Sequence, residues 1–125
     1  MVKKRGVLLI DYRGKNMKED VGAFSNMFGI NPRNRIIEFF LEMRELDFSI
    51  GDVAKEIGLN RATTYNTMEE LIKTKYIIPT RKVSGSQLYK LNITKKEVKI
   101  LIKTFNLLLK DIVNKYEASK KVVYA

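Results

Sequence analysis

The chain has 125 residues and a formal net charge of +10, from 24 lysines and arginines against 14 aspartates and glutamates. It contains no cysteine and no histidine, which excludes disulfides and thiol chemistry and removes the commonest metal ligand and general acid–base group. This length suits one domain with an extension, and the excess of cations favours an anionic partner such as duplex DNA.

The sequence predicts neither a membrane segment nor an active site. It lacks an apolar run of about eighteen residues, the length of a membrane span, and the apolar run at residues 7–10 is too short for a signal peptide and is interrupted at Asp11, so a cytoplasmic protein is expected. We find no paired carboxylates in a pocket setting, no glycine-rich phosphate loop, no nucleophile–base pair and no cluster of acidic metal ligands. We therefore expect neither an enzyme nor a metal or other cofactor.

Residues 1–31 predict an N-terminal arm followed by a short helix. The apolar segment at residues 7–12 has the pattern of a strand, and the basic cluster before it suits either an arm in a DNA groove or a loose terminus: Lys3, Lys4 and Arg5. Apolar side chains then recur at helical spacing as far as a helix stop at Gly29, namely Val21, Phe24, Met27 and Phe28.

Two further helices are predicted between residues 31 and 58. Asn31 and Pro32 suit the cap and the first position of a helix that is apolar on two sides and ends at residues 46–47. A helix of this kind is usually covered by neighbours on both sides. The next helix starts at Ser49 or Gly51, turns its apolar residues inward and ends at Gly58, which suits a left-handed C-terminal cap.

Asn60 is predicted to cap another helix, which runs from Arg61 to about residue 75. Its inward stripe holds Thr64, Met68, Leu71 and Ile72. A tight turn between two short helices, followed by a basic hairpin, is the arrangement that places one helix in a DNA groove.

A hairpin and a long helix complete the chain. Residues 77–79 are predicted to be extended, and residues 81–83 and 87–91 predict two strands around a tip formed by residues 84–86. Thr94 and Glu97 have the spacing of a capping box at the start of the long helix. Along that helix, large apolar residues step by three and four as a heptad seam: Val98, Ile102, Phe105, Leu109, Ile112 and Tyr116.

The outward face of the helix that starts at Arg61 carries one group of candidate DNA contacts. Asn66 suits bidentate pairing with adenine, Ala62 suits contact with a thymine methyl group, and Arg61 is long enough to reach guanine or phosphate. Phosphate oxygens suit the other polar groups of its first turns: Asn60, Thr63 and Tyr65. The alternative is an ordinary solvated helix face.

The hairpin supplies a second group of candidate DNA contacts. Small polar residues flanked by cations suit a loop on the phosphate backbone or in the minor groove: Arg81, Lys82, Ser84, Gly85, Ser86 and Lys90. A hairpin that carries charge for solubility is the alternative. Residues 32–60 hold four basic and six acidic side chains, net −2, whereas residues 61–90 hold six and two, net +4, and this step favours the DNA interpretation.

Residues 48–65, FSIGDVAKEIGLNRATTY, resemble the helix-turn-helix core of winged-helix transcription regulators of bacteria and archaea, namely the MarR-, IclR- and TrmB-like groups. The resemblance covers roughly residues 32–92. It implies a dimeric repressor or activator that reads bases through Arg61, Ala62 and Asn66, with wing contacts at residues 81, 82 and 84–86. Thr64 departs from the pattern of these groups, which usually place a branched apolar residue there.

The heptad seam predicts homodimerisation, because a winged helix over residues 32–92 has little apolar surface to spare for a seam of this length. The alternative is that the long helix packs back on its own domain, against the two-sided helix that begins at Pro32. The predicted organisation is an N-terminal arm and short helix (1–31), a winged helix-turn-helix domain (32–92), and a dimerisation helix and tail (93–125).

The sequence therefore predicts a mainly helical α+β protein, a winged helix-turn-helix with a small hairpin wing and a long C-terminal dimerisation helix. The expected function is a homodimeric transcription regulator that binds double-stranded DNA, with the recognition helix in the major groove and the wing on the flanking backbone or minor groove. A plasmid or replicon protein for segregation or replication is one alternative, and a winged-helix protein-interaction module is another. The operator, the sign of regulation and any effector cannot be read from the sequence.

Overall fold

The computed structural model describes residues 22–124, with side chains as far as residue 119. The elements in chain order are α1 (Ala23–Phe28), α2 (Pro32–Glu42), α3 (Ile50–Ile57), α4 (Arg61–Lys73), β1 (Ile77–Val83), β2 (Ser86–Leu91) and α5 (Lys96–Tyr124). The predicted class, mainly helical with one small antiparallel hairpin and a long last helix, is confirmed. The predicted strand at residues 7–12 and the basic cluster before it lie outside the described residues.

Side-chain caps start three of the helices where the sequence predicted them. The Oδ1 atom of Asn31 accepts a hydrogen bond from the Asn34 amide at 2.8 Å, and Pro32 occupies the first helical position. The Ser49 hydroxyl and the Asn60 carboxamide oxygen make the equivalent contacts at the starts of α3 and α4. Because these caps satisfy amides that lack helical partners, the starts were readable from the sequence alone.

The helix ends agree less well with the predictions. Gly58 closes α3 with φ +73°, in the expected left-handed conformation. However, α2 ends at Glu42 rather than at residues 46–47. After Glu42 the chain forms a turn, and the Arg44 side chain donates to the Leu41 carbonyl oxygen. The end of α4 at Lys73 is two residues earlier than predicted, and Lys75 follows with φ +66°.

The core forms around α2, which is buried on more than one side as its sequence predicted. Its five central apolar residues are each at most 2% exposed: Ile36, Ile37, Phe39, Phe40 and Leu41. The inward residues of α4 meet them and are equally buried: Thr64, Met68 and Leu71. The Thr64 hydroxyl donates to the Asn60 carbonyl oxygen at 2.9 Å, so this buried polar group is satisfied within its own helix.

The hairpin has a tighter tip than predicted. Val83 pairs with Ser86, so the turn consists of Ser84 and Gly85 alone, with φ +51° and +83°. Two positive φ angles define the turn whose twist matches antiparallel strands. β1 runs from Ile77 to Val83 and so includes residues 77–79, which the sequence predicted to be extended. The single pair Phe48–Tyr89 adds a short third edge to the sheet.

The long helix does not present its whole seam to solvent. Val98 and Phe105 are 0% and 6% exposed and belong to the core of the same chain, so the expectation that they lie between subunits was wrong. The first half of α5 lies over α1 and α2, as the alternative predicted, and Ile102 is half-buried against the same core. Beyond it, Leu109 and Tyr116 are 45% and 61% exposed.

The start of α5 also differs from the predicted capping box. The Thr94 hydroxyl donates to Oδ1 of Asn92 rather than accepting from a helix amide, and the helix begins at Lys96. Asn92 in turn donates its side-chain amide to the Lys75 carbonyl oxygen, which joins the end of the hairpin to the end of α4. Within residues 22–124, none of the helices combines the length and the apolar character needed to span a bilayer.

Candidate nucleic-acid interface

The turn between α3 and α4 is held by α2. Leu59 and Gly58 both donate their backbone amides to the Ala54 carbonyl oxygen, at 3.1 and 2.9 Å. The Nη2 atom of Arg35 donates to the Ile57 carbonyl oxygen at 2.7 Å. These hydrogen bonds hold α3 and α4 at a tight turn and attach that turn to the core helix α2.

The exposed face of α4 is the one that the sequence predicted. Arg61, Ala62, Tyr65 and Asn66 are exposed, while Thr63 is half-buried. The Thr63 amide donates a hydrogen bond to Oδ1 of Asn60 at 2.8 Å, which commits this oxygen to the cap. Among the described residues, the side-chain amide hydrogens of Asn60 remain available. The first two turns of α4 therefore offer amide, hydroxyl and guanidinium donors to a partner outside the domain.

Arg61 lies between the starts of the two helices. Its guanidinium carbon is 5.6 Å from the centre of the Tyr65 ring, within the range of a cation–π contact. A Cβ atom placed on Gly51 would lie 3.2 Å from Nη1 of Arg61. Glycine at this position therefore lets the cation lie against the first turn of α3.

An open groove of about 530 Å³ separates the start of α4 from the hairpin turn. It brings together four of the predicted contact residues: Arg61, Tyr65, Gly85 and Ser86. It also includes Gln87, one of the small polar residues that the sequence placed at the hairpin tip, and residues that sequence reasoning missed, among them Ser49, Lys55 and Tyr89. The exposed position of Lys55 on the amphipathic α3 was the one available signal for these.

The remaining predicted residues fall on both sides of this groove. Asn66 lies on the far flank of α4, in shallow depressions that it shares with Glu69 and Glu70. Arg33 neutralises part of that acidic flank, since its Nε atom is 3.5 Å from Oε1 of Glu70. Lys82 and Ser84 are exposed on the hairpin, and Lys90 is half-buried in β2.

Arg81 differs from its prediction, because it is already paired within the protein. Its Nε and Nη2 atoms donate to the two carboxylate oxygens of Asp47 at 2.9 and 3.1 Å, and Thr80 donates its hydroxyl to the same carboxylate at 2.6 Å. Hydrogen bonds from Arg81 and then Thr80 hold the pKa of Asp47 well below its usual range. The hydrogen bond to Asp47 raises the pKa of Arg81 in return.

No grouping of three or more acidic side chains that could hold a metal ion occurs within the part of the chain that the structure describes. The charged groups of the site are therefore the arginines, lysines and single carboxylates named above. The arginines and lysines among them can bind an anion through hydrogen bonds and charge.

Several solved structures share this fold. MepR, a transcription regulator of the Staphylococcus aureus multidrug efflux pump MepA, matches with a TM-score of 0.54 and 13% identity over 76% of this chain and 68% of its own. A mutant MepR bound to an oligodeoxyribonucleotide matches with the same TM-score and 12% identity, over the same shares of the two chains. The adhesin competence repressor AdcR from Streptococcus pyogenes matches at 0.52 and 13%, over 71% of this chain and 63% of its own.

A possible transcriptional regulator from Methanosarcina mazei matches over more of both chains, 89% of this one and 95% of its own, with a TM-score of 0.50 and 16% identity. At these identities the likeness establishes the fold, a winged helix shared with transcription regulators, as the sequence resemblance predicted. No protein-family model matches the chain, and no curated protein is significantly similar to it.

Proposed function

We propose that this protein is a transcription regulator that binds double-stranded DNA as a homodimer, with α4 in the major groove and the hairpin on the flanking backbone or minor groove. One observation carries the proposal: the exposed start of α4 and the hairpin turn border the same open groove, which Arg61 lines. A duplex that receives a helix in its major groove has a phosphate strand beside that helix, and a wing next to the helix can contact it.

Base recognition falls to the exposed positions of α4 in this proposal. Asn66 pairs with adenine, Ala62 contacts a thymine methyl group, and Arg61 reaches guanine or the neighbouring phosphate. Sequence-independent affinity comes from phosphate contacts, whose candidates are Asn60, Thr63, Tyr65, Lys82, Ser84, Gly85, Ser86 and Lys90. The groove residue Lys55 joins this group.

The support for a homodimer comes from the second half of α5. All residues from 109 to 119 are exposed in the part of the chain that the structure describes. Its apolar residues nevertheless continue the stripe that is buried further up the helix: Leu109, Ile112, Val113 and Tyr116. A second copy of the helix supplies the missing cover and brings two recognition helices to one palindromic site.

The dimer is tested by sedimentation velocity on two variants with the same charge change, Ile112→Asp and Asn114→Asp. The two positions lie about 200° apart around the helix, and only the first is on the apolar stripe. We expect a dimer for the wild type and for Asn114→Asp and a monomer for Ile112→Asp. A wild-type monomer, or a dimer that survives Ile112→Asp, contradicts the proposed interface.

DNA binding is tested by selecting bound sequences from a random duplex pool and measuring their affinity against salt concentration. We expect a palindromic site and an affinity that falls steeply as salt rises. Arg61→Ala should abolish selection of that site, whereas Lys103→Ala, the same loss of one charge on the exposed side of α5, should leave it intact. No enrichment, or binding that does not depend on salt, would refute the proposal.

The same selection separates the two alternative tasks. A regulator and a replicon protein share the DNA-binding surface, and the genomic position of the selected site distinguishes them. A protein-interaction module would retain its partner after Arg61→Ala and Asn66→Ala and would enrich no duplex.

A further inference from the structure

The carboxylate of Asp47 is held by two adjacent residues of the hairpin. Thr80 and Arg81 together direct three hydrogen bonds to its two oxygens, at 2.6, 2.9 and 3.1 Å. Asp47 precedes α3 by three positions, and the two hairpin residues follow it by 33 and 34 positions. This contact therefore joins the helical body to the wing.

An irregularity in the hairpin aims these two residues at Asp47. Strand pairing is regular from Ile77 to Pro79 and again from Lys82, but Thr80 and Arg81 fall in the register shift between them. The side-chain amide of Gln87 donates to the Arg81 carbonyl oxygen at 3.1 Å, within this irregular stretch. Bulges of this kind redirect side chains away from the regular alternation.

Asp47 is the fixed member of the pair. Its neighbour Phe48 exchanges two backbone hydrogen bonds with Tyr89, at 2.8 and 2.9 Å, and its ring centre is 4.8 Å from that of the buried Phe39. The side chain of Asp47 is 16% exposed, against 65% for Arg81. The core therefore positions the carboxylate, and the carboxylate positions the hairpin arginine.

We propose that Asp47 is a positioning residue that sets the orientation of the wing relative to α4, and that Arg81 acts on DNA through this contact rather than by binding phosphate itself. The inference rests on the proposed DNA-binding function. It assigns phosphate binding by the wing to Lys82, Lys90 and the backbone amides of the Ser84–Gly85 turn instead of Arg81.

The substitution Asp47→Asn distinguishes the two roles of Arg81 by the sign of its effect. If Arg81 binds phosphate, removal of the competing carboxylate frees the guanidinium, so DNA binding tightens and its salt dependence steepens by up to about 0.9 in log–log slope. If Asp47 positions the wing, its loss lets the hairpin move, so binding weakens by roughly two- to fivefold without a steeper slope.

Glu45→Gln is the matched control. Glu45 is an exposed carboxylate two residues earlier in the same loop, and its substitution makes the same change in net charge. A purely electrostatic effect of one lost negative charge appears in both variants. A positioning effect appears only in Asp47→Asn.

The experiment measures fluorescence anisotropy against salt with a duplex chosen from the random pool, for Asp47→Asn, Arg81→Ala and the double variant. We expect both single variants to weaken binding and the double variant to be no weaker than either, since both changes break one contact. Tighter binding by Asp47→Asn, or additive losses in the double variant, overturns the inference.

Hydrogen exchange of the free protein supplies a readout that does not depend on DNA. We expect the amides of residues 80–89 to exchange faster in Asp47→Asn than in the wild type and in Glu45→Gln. Unchanged exchange there overturns the positioning role even if DNA binding is established. Faster exchange in a protein that binds no duplex supports the contact and refutes the proposed function instead.

Discussion

Arg35 and Ile57 are joined by a 2.7 Å hydrogen bond, in which the guanidinium Nη2 atom donates to the last carbonyl oxygen of α3. The final carbonyl groups of a helix lack partners within it, and a cation at that end also interacts favourably with the helix dipole. Because the next residues turn the chain into α4, this contact links the angle of the exposed helix to the core helix α2.

Arg35→Met should lower the free energy of unfolding by about 1.5 to 3 kcal/mol, the range for a hydrogen bond to a charged group. The methionine retains most of the apolar stem, so the loss reports the missing donor rather than missing packing. Urea denaturation followed by circular dichroism measures it. Arg33→Met is the control, since the 3.5 Å pair of Arg33 with Glu70 lies at the surface, where loss of an ion pair costs about 0 to 1 kcal/mol. Equal losses in both variants would contradict the assigned role of Arg35.

Thr64→Val should leave the free energy of unfolding unchanged or raise it by up to about 1 kcal/mol. The buried hydroxyl bonds only the Asn60 carbonyl oxygen among the described residues, and that oxygen also accepts the Thr64 amide at 3.0 Å. Valine therefore leaves no polar group unsatisfied. Thr64→Ala, which removes the methyl group as well, should lower stability by about 1 kcal/mol. A valine variant less stable than the alanine variant would refute this account.

Acid should destabilise the wild type more than Asp47→Asn. The folded pKa of Asp47 lies below its ordinary value near 4, so in the window between the two the unfolded chain binds more protons. Stability from this group is thus present above that window and is lost as the pH falls through it. Melting temperatures from pH 7 to pH 2 should show a gap between the two proteins that narrows as the pH falls. A constant gap would mean that the carboxylate charge has no part in the contact.

Both proteins should keep some sensitivity to acid in the same experiment. The pKa of Glu97 lies below its ordinary value, first because of a hydrogen bond with the backbone of Glu97 itself and second because of the charge of Lys95. This carboxyl group therefore contributes stability with the same sign as Asp47. The Asp47 contribution is the difference between the two proteins, not the whole slope.

Asn66→Ala and Lys82→Ala should weaken DNA binding in different ways. Loss of a bidentate base contact reduces discrimination at one base pair by about 1 to 3 kcal/mol and leaves the salt slope unchanged. Loss of a phosphate contact weakens all duplexes alike and reduces the magnitude of the slope by about 0.9. Competition titrations with single-base variants of the selected site, at several salt concentrations, separate the two. An Asn66→Ala variant with unchanged base preference would remove Asn66 from the recognition set.

The parts of the fold that the sequence predicted are those determined by neighbouring residues. Asn31, Ser49 and Asn60 each cap a helix whose first amides lie within three residues. Gly58 ends α3 because glycine adopts the left-handed conformation of a helix C-cap without a steric penalty. The periodicity of α4 likewise predicted which of its faces is buried, because burial of one face follows from the spacing of the apolar residues.

The errors concern contacts between residues far apart in the chain. Arg81 looked like a free cation, because nothing local marks Asp47, 34 positions earlier, as its partner. Val98 and Phe105 have the heptad spacing of a dimer seam, but that spacing equally suits packing on α2 of the same chain. The spacing of apolar residues predicts which side of a helix is buried, but it does not predict which surface covers that side.

The helix α5 contains neither glycine nor proline between Lys96 and Tyr124, and it continues without interruption from the packed core into the exposed residues 109–119. Any partner bound at the far end is therefore coupled to the domain by a stiff rod rather than a tether. Each residue inserted along such a rod rotates the partner by about 100° and moves it about 1.5 Å. In a dimer joined through this helix, the relative position of the two DNA-binding domains therefore depends on the rotation around the helix axis as well as on its length.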